Sequence, residues 1–144
     1  MFETQNINFL HKVAVQIRFN DIDIAGHVNN AMYFQYLDLA RLQYFDKVFD
    51  DTIKWKKAGL VLAKIEINFL EPVFLNEKLF VYTKIDKIGN KSIQMYQHII
   101  KSIDKKEILV SISTSVLVGY DYIKKRSFEI PKKWKEKILN FERN

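Results

Sequence analysis

The chain has 144 residues, 48% hydrophobic and 28% charged, which is the composition of an ordinary globular domain and excludes low-complexity disorder. It has no cysteine, which excludes disulfides, thiolate metal sites and cysteine nucleophiles. The formal net charge is +6, but the basic residues are spread along the chain and interrupted by acidic ones. This distribution indicates a solvated, lysine-rich surface rather than a nucleic-acid interface.

The chain shows no linker, repeat or targeting segment, so we expect one domain spanning residues 1–144 in the cytoplasm. Residues 1–6 lack the basic region and apolar core of a signal peptide. No apolar run approaches the ~20 residues needed to span a bilayer, so we expect no membrane partner.

Five segments alternate apolar and polar residues with a period of two, which is typical of strands that bury one face. They cover residues 11–19, 61–70, 78–88, 91–103 and 107–118. In the first we expect Phe19 to face inward with Val15 and Ile17. In the second we expect Ala63 to face inward, and in the last we expect the apolar side chains to face inward, opposite Ser111, Ser113 and Ser115.

The connections between the last three strands are short. Gly89-Asn90 predicts a two-residue hairpin turn whose residues tolerate positive φ, and residues 104–106 predict a short polar turn. These three strands therefore form a meander.

Residues 31–45 show no alternation and contain neither glycine nor proline, which predicts a helix. Asn29 or Asn30 is available as its N-cap, and its apolar circumference indicates burial on nearly all sides. A second, amphipathic helix is predicted from Pro131 to about Phe141. The resulting fold class is α+β, with a five-stranded, curved antiparallel sheet wrapped around one long helix.

Polar side chains are concentrated between the first strand and this helix. Two carboxylates (Asp21 and Asp23), one imidazole (His27) and two amides (Asn29 and Asn30) lie within ten residues. Such groups are costly to bury without a role, and loops on a rigid scaffold often carry function. This loop is the candidate site.

The spacing around the loop resembles a known family signature. The run is Arg18-Phe19-x-Asp21-x-Asp23-x-x-Gly26-His27-Val28-Asn29-Asn30-x-x-Tyr33-x-x-Tyr36-x-Asp38-x-Ala40-Arg41. It resembles the hot-dog thioesterases of the 4-hydroxybenzoyl-CoA thioesterase-like type, and its His-Val-Asn-Asn portion resembles acyl-acyl carrier protein (acyl-ACP) thioesterases.

This resemblance implies hydrolysis of an acyl-CoA or acyl-ACP thioester, and it leaves the carrier and the acyl chain open. Asp23 falls on the family's catalytic aspartate, as nucleophile or general base. Asn30 falls where the family presents a backbone N–H to the thioester oxygen, and His27 and Asn29 fall where they orient water or the carboxylate. Asn29 and Tyr33 are the candidate substrate-binding residues. Tyr33 and Tyr36 are expected to pack the helix against the sheet, and the alternative for Tyr33 is to line the acyl pocket.

The resemblance also implies a homodimer or dimer of dimers with acyl pockets between protomers. No cofactor is expected, since coenzyme A or phosphopantetheine belongs to the substrate. A thioester needs only a positioned carboxylate and an oxyanion donor, because sulfur stabilises the carbonyl weakly and the thiolate leaves readily.

Several of these residues also have a purely structural interpretation. The alternative for Asp23 is a turn residue that accepts local N–H bonds, and the alternative for His27 is a structural capping residue. Asp21 is expected to be a turn residue, Asp38 is expected to pair with Arg41 and is the second-choice catalytic carboxylate, and His98 is expected at the surface or lining a pocket. Asp21-x-Asp23-x-x-Gly26 resembles the opening of a calcium loop, but Ala25 and Met32 stand where further ligands are needed. The scattered histidines argue against zinc, so we expect no metal. The alternative functions are a non-catalytic acyl-thioester-binding module and a hot-dog hydratase.

Overall fold

A computed structural model describes residues 7–143, which form one antiparallel sheet and two α-helices. Residues 1–6, where no signal peptide is expected, lie outside the described residues. The strands are β1 (His11–Val15), β2 (Ala58–Phe69), β3 (Lys78–Ile88), β4 (Ser92–Ile103), β5 (Lys106–Asp121) and β6 (Arg126–Ser127), and the helices are α1 (Asn30–Phe49) and α2 (Lys132–Glu142). Neither helix of this described part is long and apolar enough to cross a membrane.

The strand order across the sheet is β1-β3-β4-β5-β2, and the short β6 pairs with the end of β5. The central strands β3, β4 and β5 form the predicted meander. The first two strands of the chain therefore lie on opposite edges of the sheet, β1 beside β3 and β2 beside β5. Within residues 7–143, no other strand pairs with the outer edge of β2.

The two links of the meander differ from each other. Asp104 and Lys105 join β4 to β5 with φ values of 49° and 65°, as the turns that match strand twist require. The link from β3 to β4 has three residues, closed by a bond from Gly89 N to Ser92 O of 2.7 Å, and Gly89 and Asn90 lack positive φ. The hairpin is confirmed, but the predicted two-residue turn is wrong, and neither Gly89 nor Asn90 adopts the positive φ that it tolerates.

Helix α1 begins where Asn29 caps it, since the Asn29 side chain accepts a hydrogen bond from Ala31 N at 2.9 Å. Its buried residues recur at helical spacing along one face and pack on the sheet. The expected burial on nearly all sides is wrong for this chain. Phe34, Leu39 and Leu42 are 43%, 43% and 60% exposed, because the sheet covers only one face of the helix.

The inward face of β5 also differs from the prediction. Ile99 pairs with Ser111 and Ile100 with Leu109, so Val110 is an extra residue in β5. One extra residue reverses the alternation of every residue beyond it. Ser111, Ser113 and Ser115 are therefore buried and Ile112, Val116 and Val118 are only half-buried, which contradicts the expected arrangement.

The predicted inward orientation is also wrong for two other side chains. Strand β1 ends at Val15 and is followed by a 3₁₀ turn over Phe19–Asp21, where Phe19 is 80% exposed instead of inward-facing. Ala63 lies at a register irregularity between Leu62 and Lys64 and is exposed. Both errors arise where the backbone leaves the regular period of two.

The largely buried carboxylate of Glu142 connects α2 to the rest of the fold. Glu142 Oε1 accepts hydrogen bonds from Tyr44 Oη at 2.6 Å and from the backbone N of Ile85 at 3.2 Å, while Glu142 Oε2 lies 3.1 Å from Lys84 Nζ. Tyr44 lies on α1, so this contact joins both helices to β3 at the end of the core remote from the candidate loop.

Candidate active site

The loop between the 3₁₀ turn and α1 is closed by backbone contacts. Ile22 and Val28 form an isolated antiparallel bridge, and Asp23 N donates to His27 O at 3.2 Å. Gly26 N donates to Asp23 O at 3.0 Å, and Gly26 has φ 87° with open space where a Cβ would lie. Glycine is therefore needed here for its backbone conformation and not to avoid a clash.

Asp23 lies at the start of this turn and is half-buried. Its Oδ1 accepts a hydrogen bond from Ala25 N at 2.9 Å, and Oδ2 has no hydrogen-bond partner among residues 7–143. One carboxylate oxygen thus closes a local turn, as a purely structural aspartate would, and the other makes no hydrogen bond within residues 7–143.

The first residue of α1 is Asn30. The backbone N–H groups of the two flanking residues both have acceptors. Asn29 N donates to Asp21 O at 2.8 Å, and Ala31 N donates to Asn29 Oδ1 at 2.9 Å. The Asn30 N–H has no acceptor in the described part of the chain, and it points out of the positive end of a 20-residue helix. Such a group is suited to stabilise a developing oxyanion.

A cavity of about 230 Å³ opens beside this helix terminus. It is lined by three of the predicted site residues, His27, Asn30 and Tyr33, and by residues 69–72, which form the end of β2 and the segment that follows it. Asp23 and Asn29 are not among the lining residues. The side-chain oxygen of Asn29 instead caps α1. The backbone N of Asp23 donates a hydrogen bond to the backbone oxygen of His27, which does line the cavity.

Glu71 is a cavity-lining carboxylate that the sequence analysis missed. It lies far along the chain from the motif and follows a strand whose end carries no local signal of function. Its only sequence signal is its position directly after the predicted strand 61–70. Glu71 is exposed, so it lies at the rim.

Tyr33 forms the apolar wall of the cavity. It is 2% exposed, and its ring packs edge-on against Phe69 with centroids 5.1 Å apart. Burial, together with the charge of Glu77, raises the pKa of the Tyr33 phenol.

The cavity rim is fastened to the sheet and to the loop. Lys101 is buried on β4, and its Nζ donates to Pro72 O at 2.8 Å and lies 3.2 Å from Glu77 Oε2. On the loop side, Val28 N donates to Val73 O at 2.8 Å. Residues 69–77 and the candidate loop are therefore held as one unit.

Asp21 is a fully buried carboxylate, 1% exposed, at the base of the loop. Burial alone would raise the pKa of its carboxyl, but hydrogen bonds from Tyr36 Oη (2.6 Å) and Arg18 N (3.0 Å) and the nearby Arg18 guanidinium lower it overall. Asp21 is a turn residue, as expected. Its hydrogen bond with Tyr36 on α1 does not follow from the sequence.

The lowered pKa of Asp21 predicts how the free energy of unfolding depends on pH. The group stabilises the fold above the ordinary aspartate pKa of about 3.9, and this contribution is lost as pH falls through the lower folded value. We therefore expect Asp21→Asn to reduce the free energy of unfolding at pH 7 by about 1.5–3 kcal/mol, with a deficit that shrinks below pH ~4. Urea unfolding of both proteins across this range is the measurement, and a deficit independent of pH would contradict the prediction.

Two other predicted candidates lie outside the cavity. Asp38 is on the exposed face of α1 and pairs with Arg41, with Oδ1 2.6 Å from Nη1, which confirms the predicted ion pair. His98 is half-buried on the outer face of the sheet with its ring 4.8 Å from that of Phe9, and burial lowers its pKa. Among residues 7–143, no group of three or more His, Asp or Glu side chains is arranged to hold a metal ion.

Comparison with known proteins assigns the chain to a family. Residues 17–138 match the Thioesterase-like superfamily. The chain belongs to this superfamily. A thioesterase of Thermus thermophilus, solved in complex with coenzyme A and zinc, superposes on this thioesterase-like chain with a TM-score of 0.81 at 29% identity, over 94% of this chain and 96% of that one.

A 4-hydroxybenzoyl-CoA thioesterase, solved as an aspartate-to-asparagine mutant with 4-hydroxybenzoyl-CoA, shares the fold with a TM-score of 0.79 at 21% identity, over 88% of this chain and 96% of that one. The predicted hot-dog fold and the resemblance to 4-hydroxybenzoyl-CoA thioesterase-like proteins are thereby confirmed. The further resemblance of the His-Val-Asn-Asn portion stays a prediction.

Curated relatives match over less of their length. The long-chain acyl-CoA thioesterase FadM of Escherichia coli is 28% identical over 81 residues, which cover 54% of this chain and 60% of that protein. A chloroplastic acyl-acyl carrier protein thioesterase of Arabidopsis thaliana is 27% identical over 118 residues, which cover 81% of this chain and 63% of that protein. The thioesterase-like chain thus spans less than two thirds of the length of these relatives.

Proposed function

We propose that this protein hydrolyses an acyl thioester to a carboxylic acid and a thiol. The observation that carries this proposal is the cavity at the amide end of α1, where His27, Asn30 and Tyr33 meet in a chain of the Thioesterase-like superfamily. A cavity with one free backbone donor and an apolar wall suits a polarised carbonyl attached to an acyl group.

Asp23 supplies the attack in one of two ways. As a nucleophile, a carboxylate oxygen bonds to the thioester carbon, the C–S bond breaks, and the thiolate leaves and takes up a proton. Water then hydrolyses the acyl-aspartate anhydride and restores the carboxylate. As a general base, Asp23 accepts a proton from the attacking water and returns it to the departing sulfur.

Four other residues of the candidate site take supporting roles in this proposal. The Asn30 N–H donates to the carbonyl oxygen, which gains negative charge as the carbon becomes tetrahedral. His27 lines the cavity, and its side chain orients the water or the carboxylate. Its backbone carbonyl also accepts a hydrogen bond from Asp23 N. Tyr33 contacts the acyl group, and Asn29 fixes the helix terminus through its capping bond.

We propose that two copies pair along β2. This strand is a 12-residue edge with Leu62 and Phe69 43% and 44% exposed, and long apolar edges are seldom left bare. Phe69 also lines the cavity, so a partner on this edge would reach the site and help to enclose the substrate. Light scattering is expected to give at least twice the 17.2 kDa of one chain, and a monomer at micromolar concentration would contradict the pairing.

Relatives act on both acyl-CoA and acyl-acyl carrier protein, so the test must cover both carriers. Purified protein is mixed with acetyl-, hexanoyl-, palmitoyl- and benzoyl-CoA and with an acylated carrier protein, and free thiol and free acid are measured. Equal amounts of both products support hydrolysis.

The position of Asp23 outside the cavity lining of a single chain favours one alternative, a non-catalytic acyl-thioester-binding module. Such a module would bind acyl-CoA and return it intact. A hydratase would add water to an enoyl-CoA without releasing thiol. Either result would overturn the proposed hydrolysis.

A further inference from the structure

Helix α1 carries two tyrosines that make the same contact at opposite ends of the fold. Tyr36 Oη donates to Asp21 Oδ2 at 2.6 Å, and Tyr44 Oη donates to Glu142 Oε1 at 2.6 Å. Both tyrosines are buried, and both acceptors are largely buried carboxylates. The Tyr44 contact holds α2, whereas the Tyr36 contact holds the base of the candidate loop.

Asp21 connects three parts of the site through different atoms. Its Oδ2 accepts from Tyr36 and also from Arg18 N at 3.0 Å, and its Oδ1 lies 3.3 Å from Arg18 Nη2. Its backbone oxygen accepts from Asn29 N at 2.8 Å. One residue therefore ties the segment after β1 to the cap of α1 and to the second turn of the same helix.

The two groups proposed to act on the thioester adjoin these contacts. Asp23 lies two residues after Asp21, and Asn30 directly follows Asn29. The bridge between Ile22 and Val28 closes the segment between them. The separation of the Asp23 carboxylate from the Asn30 N–H is consequently set by where Asp21 is held against α1.

We propose that Asp21 and Tyr36 form a positioning pair that sets the Asp23 carboxylate against the amide end of α1. The inference rests on the proposed function, since it assigns a catalytic consequence to a contact that otherwise only stabilises the loop. Neither side chain touches the substrate. The pair acts through geometry, where a misplacement of about 1 Å costs on the order of 10²-fold in rate.

The test compares Tyr36→Phe with Tyr44→Phe. Each substitution removes one hydroxyl and one 2.6 Å bond to a carboxylate, so both are expected to lower the melting temperature. Only Tyr36→Phe is expected to lower kcat, by roughly 10- to 100-fold, with little change in KM. Wild-type kcat in Tyr36→Phe, or equal losses in the two variants, would overturn the inference.

A graded series at Asp21 guards against a variant that fails to fold. Asp21→Asn keeps one side-chain oxygen that can accept from Tyr36 or from Arg18 N, whereas Asp21→Ala keeps none. We expect kcat to fall further in the alanine variant than in the asparagine variant. An asparagine variant as impaired as the alanine variant would count against positioning through this hydrogen bond.

Amide hydrogen exchange supplies a readout that does not depend on activity. In Tyr36→Phe, the amides of Asn29 and Gly26 are expected to exchange faster than in wild type, and in Tyr44→Phe they are expected to match wild type. Unchanged exchange in Tyr36→Phe would overturn the positioning role. Absence of thiol release by the wild-type protein would refute the proposed function instead. The exchange data would then still test whether Tyr36 and Asp21 position the loop.

Discussion

Replacing Asn30 with proline is expected to lower kcat about 10²–10³-fold while the protein stays folded. Asn30 is the first residue of α1, where proline is well tolerated because the N–H at this position has no intrahelical partner. The preceding residue, Asn29, has φ −60° and ψ 135°, the extended conformation that proline requires before it. The substitution therefore removes the proposed oxyanion donor with little strain.

Asn30→Ala is the matched control for this experiment. It removes the side chain that lines the cavity but keeps the backbone N–H, so we expect it to retain most of the turnover. Steady-state thiol release and thermal melting are measured for both variants. Equal turnover by the proline variant and wild type, or an equal loss in the alanine variant, would remove the backbone donor from the account.

Replacing Asp23 with asparagine is expected to cost about 10²–10⁴ in kcat, the range over which a positioned acid or base contributes. Asparagine retains a side-chain oxygen that can accept from Ala25 N, so the turn is expected to survive. The variant loses the negative charge and the basic oxygen needed to attack carbon or to accept a proton from water. We expect the melting temperature and the oligomeric mass to match wild type.

Two other carboxylates provide controls for Asp23→Asn. Asp38 is the alternative helical acid, but its side chain is 61% exposed and paired with Arg41, so Asp38→Asn is expected to leave kcat unchanged. Glu71 lines the cavity at its rim, and Glu71→Gln is expected to alter KM more than kcat. Loss of turnover in either control with full turnover in Asp23→Asn would reassign the catalytic acid.

The local parts of the site could be predicted from sequence because short-range chemistry determines them. The Asn29 cap involves an amide two residues away, and the pair of Asp38 and Arg41 follows from helical spacing. The strand order of the meander follows equally from its short links. Each of these features needs only a few neighbouring residues to be specified.

The parts that sequence did not reveal depend on contacts between distant segments. One part of the cavity wall comes from residues 69–72, and the Tyr36 hydroxyl reaches Asp21 only after α1 has packed on the sheet. The sequence of β5 does not show that Val110 is an extra residue. Its apolar and serine residues alternate in the same way whichever set faces inward. The outward apolar face of α1 likewise shows that hydrophobicity alone does not identify the covered side.

The most direct test of the account is a single-turnover experiment with protein in excess over the acyl-CoA that wild type hydrolyses fastest. Free thiol is followed in time for wild type and for Asp23→Asn, so that product release and repeated binding do not contribute. We expect thiol release to be at least about 10²-fold slower in the variant, with acyl-CoA still bound. Equal rates in the two proteins would contradict it.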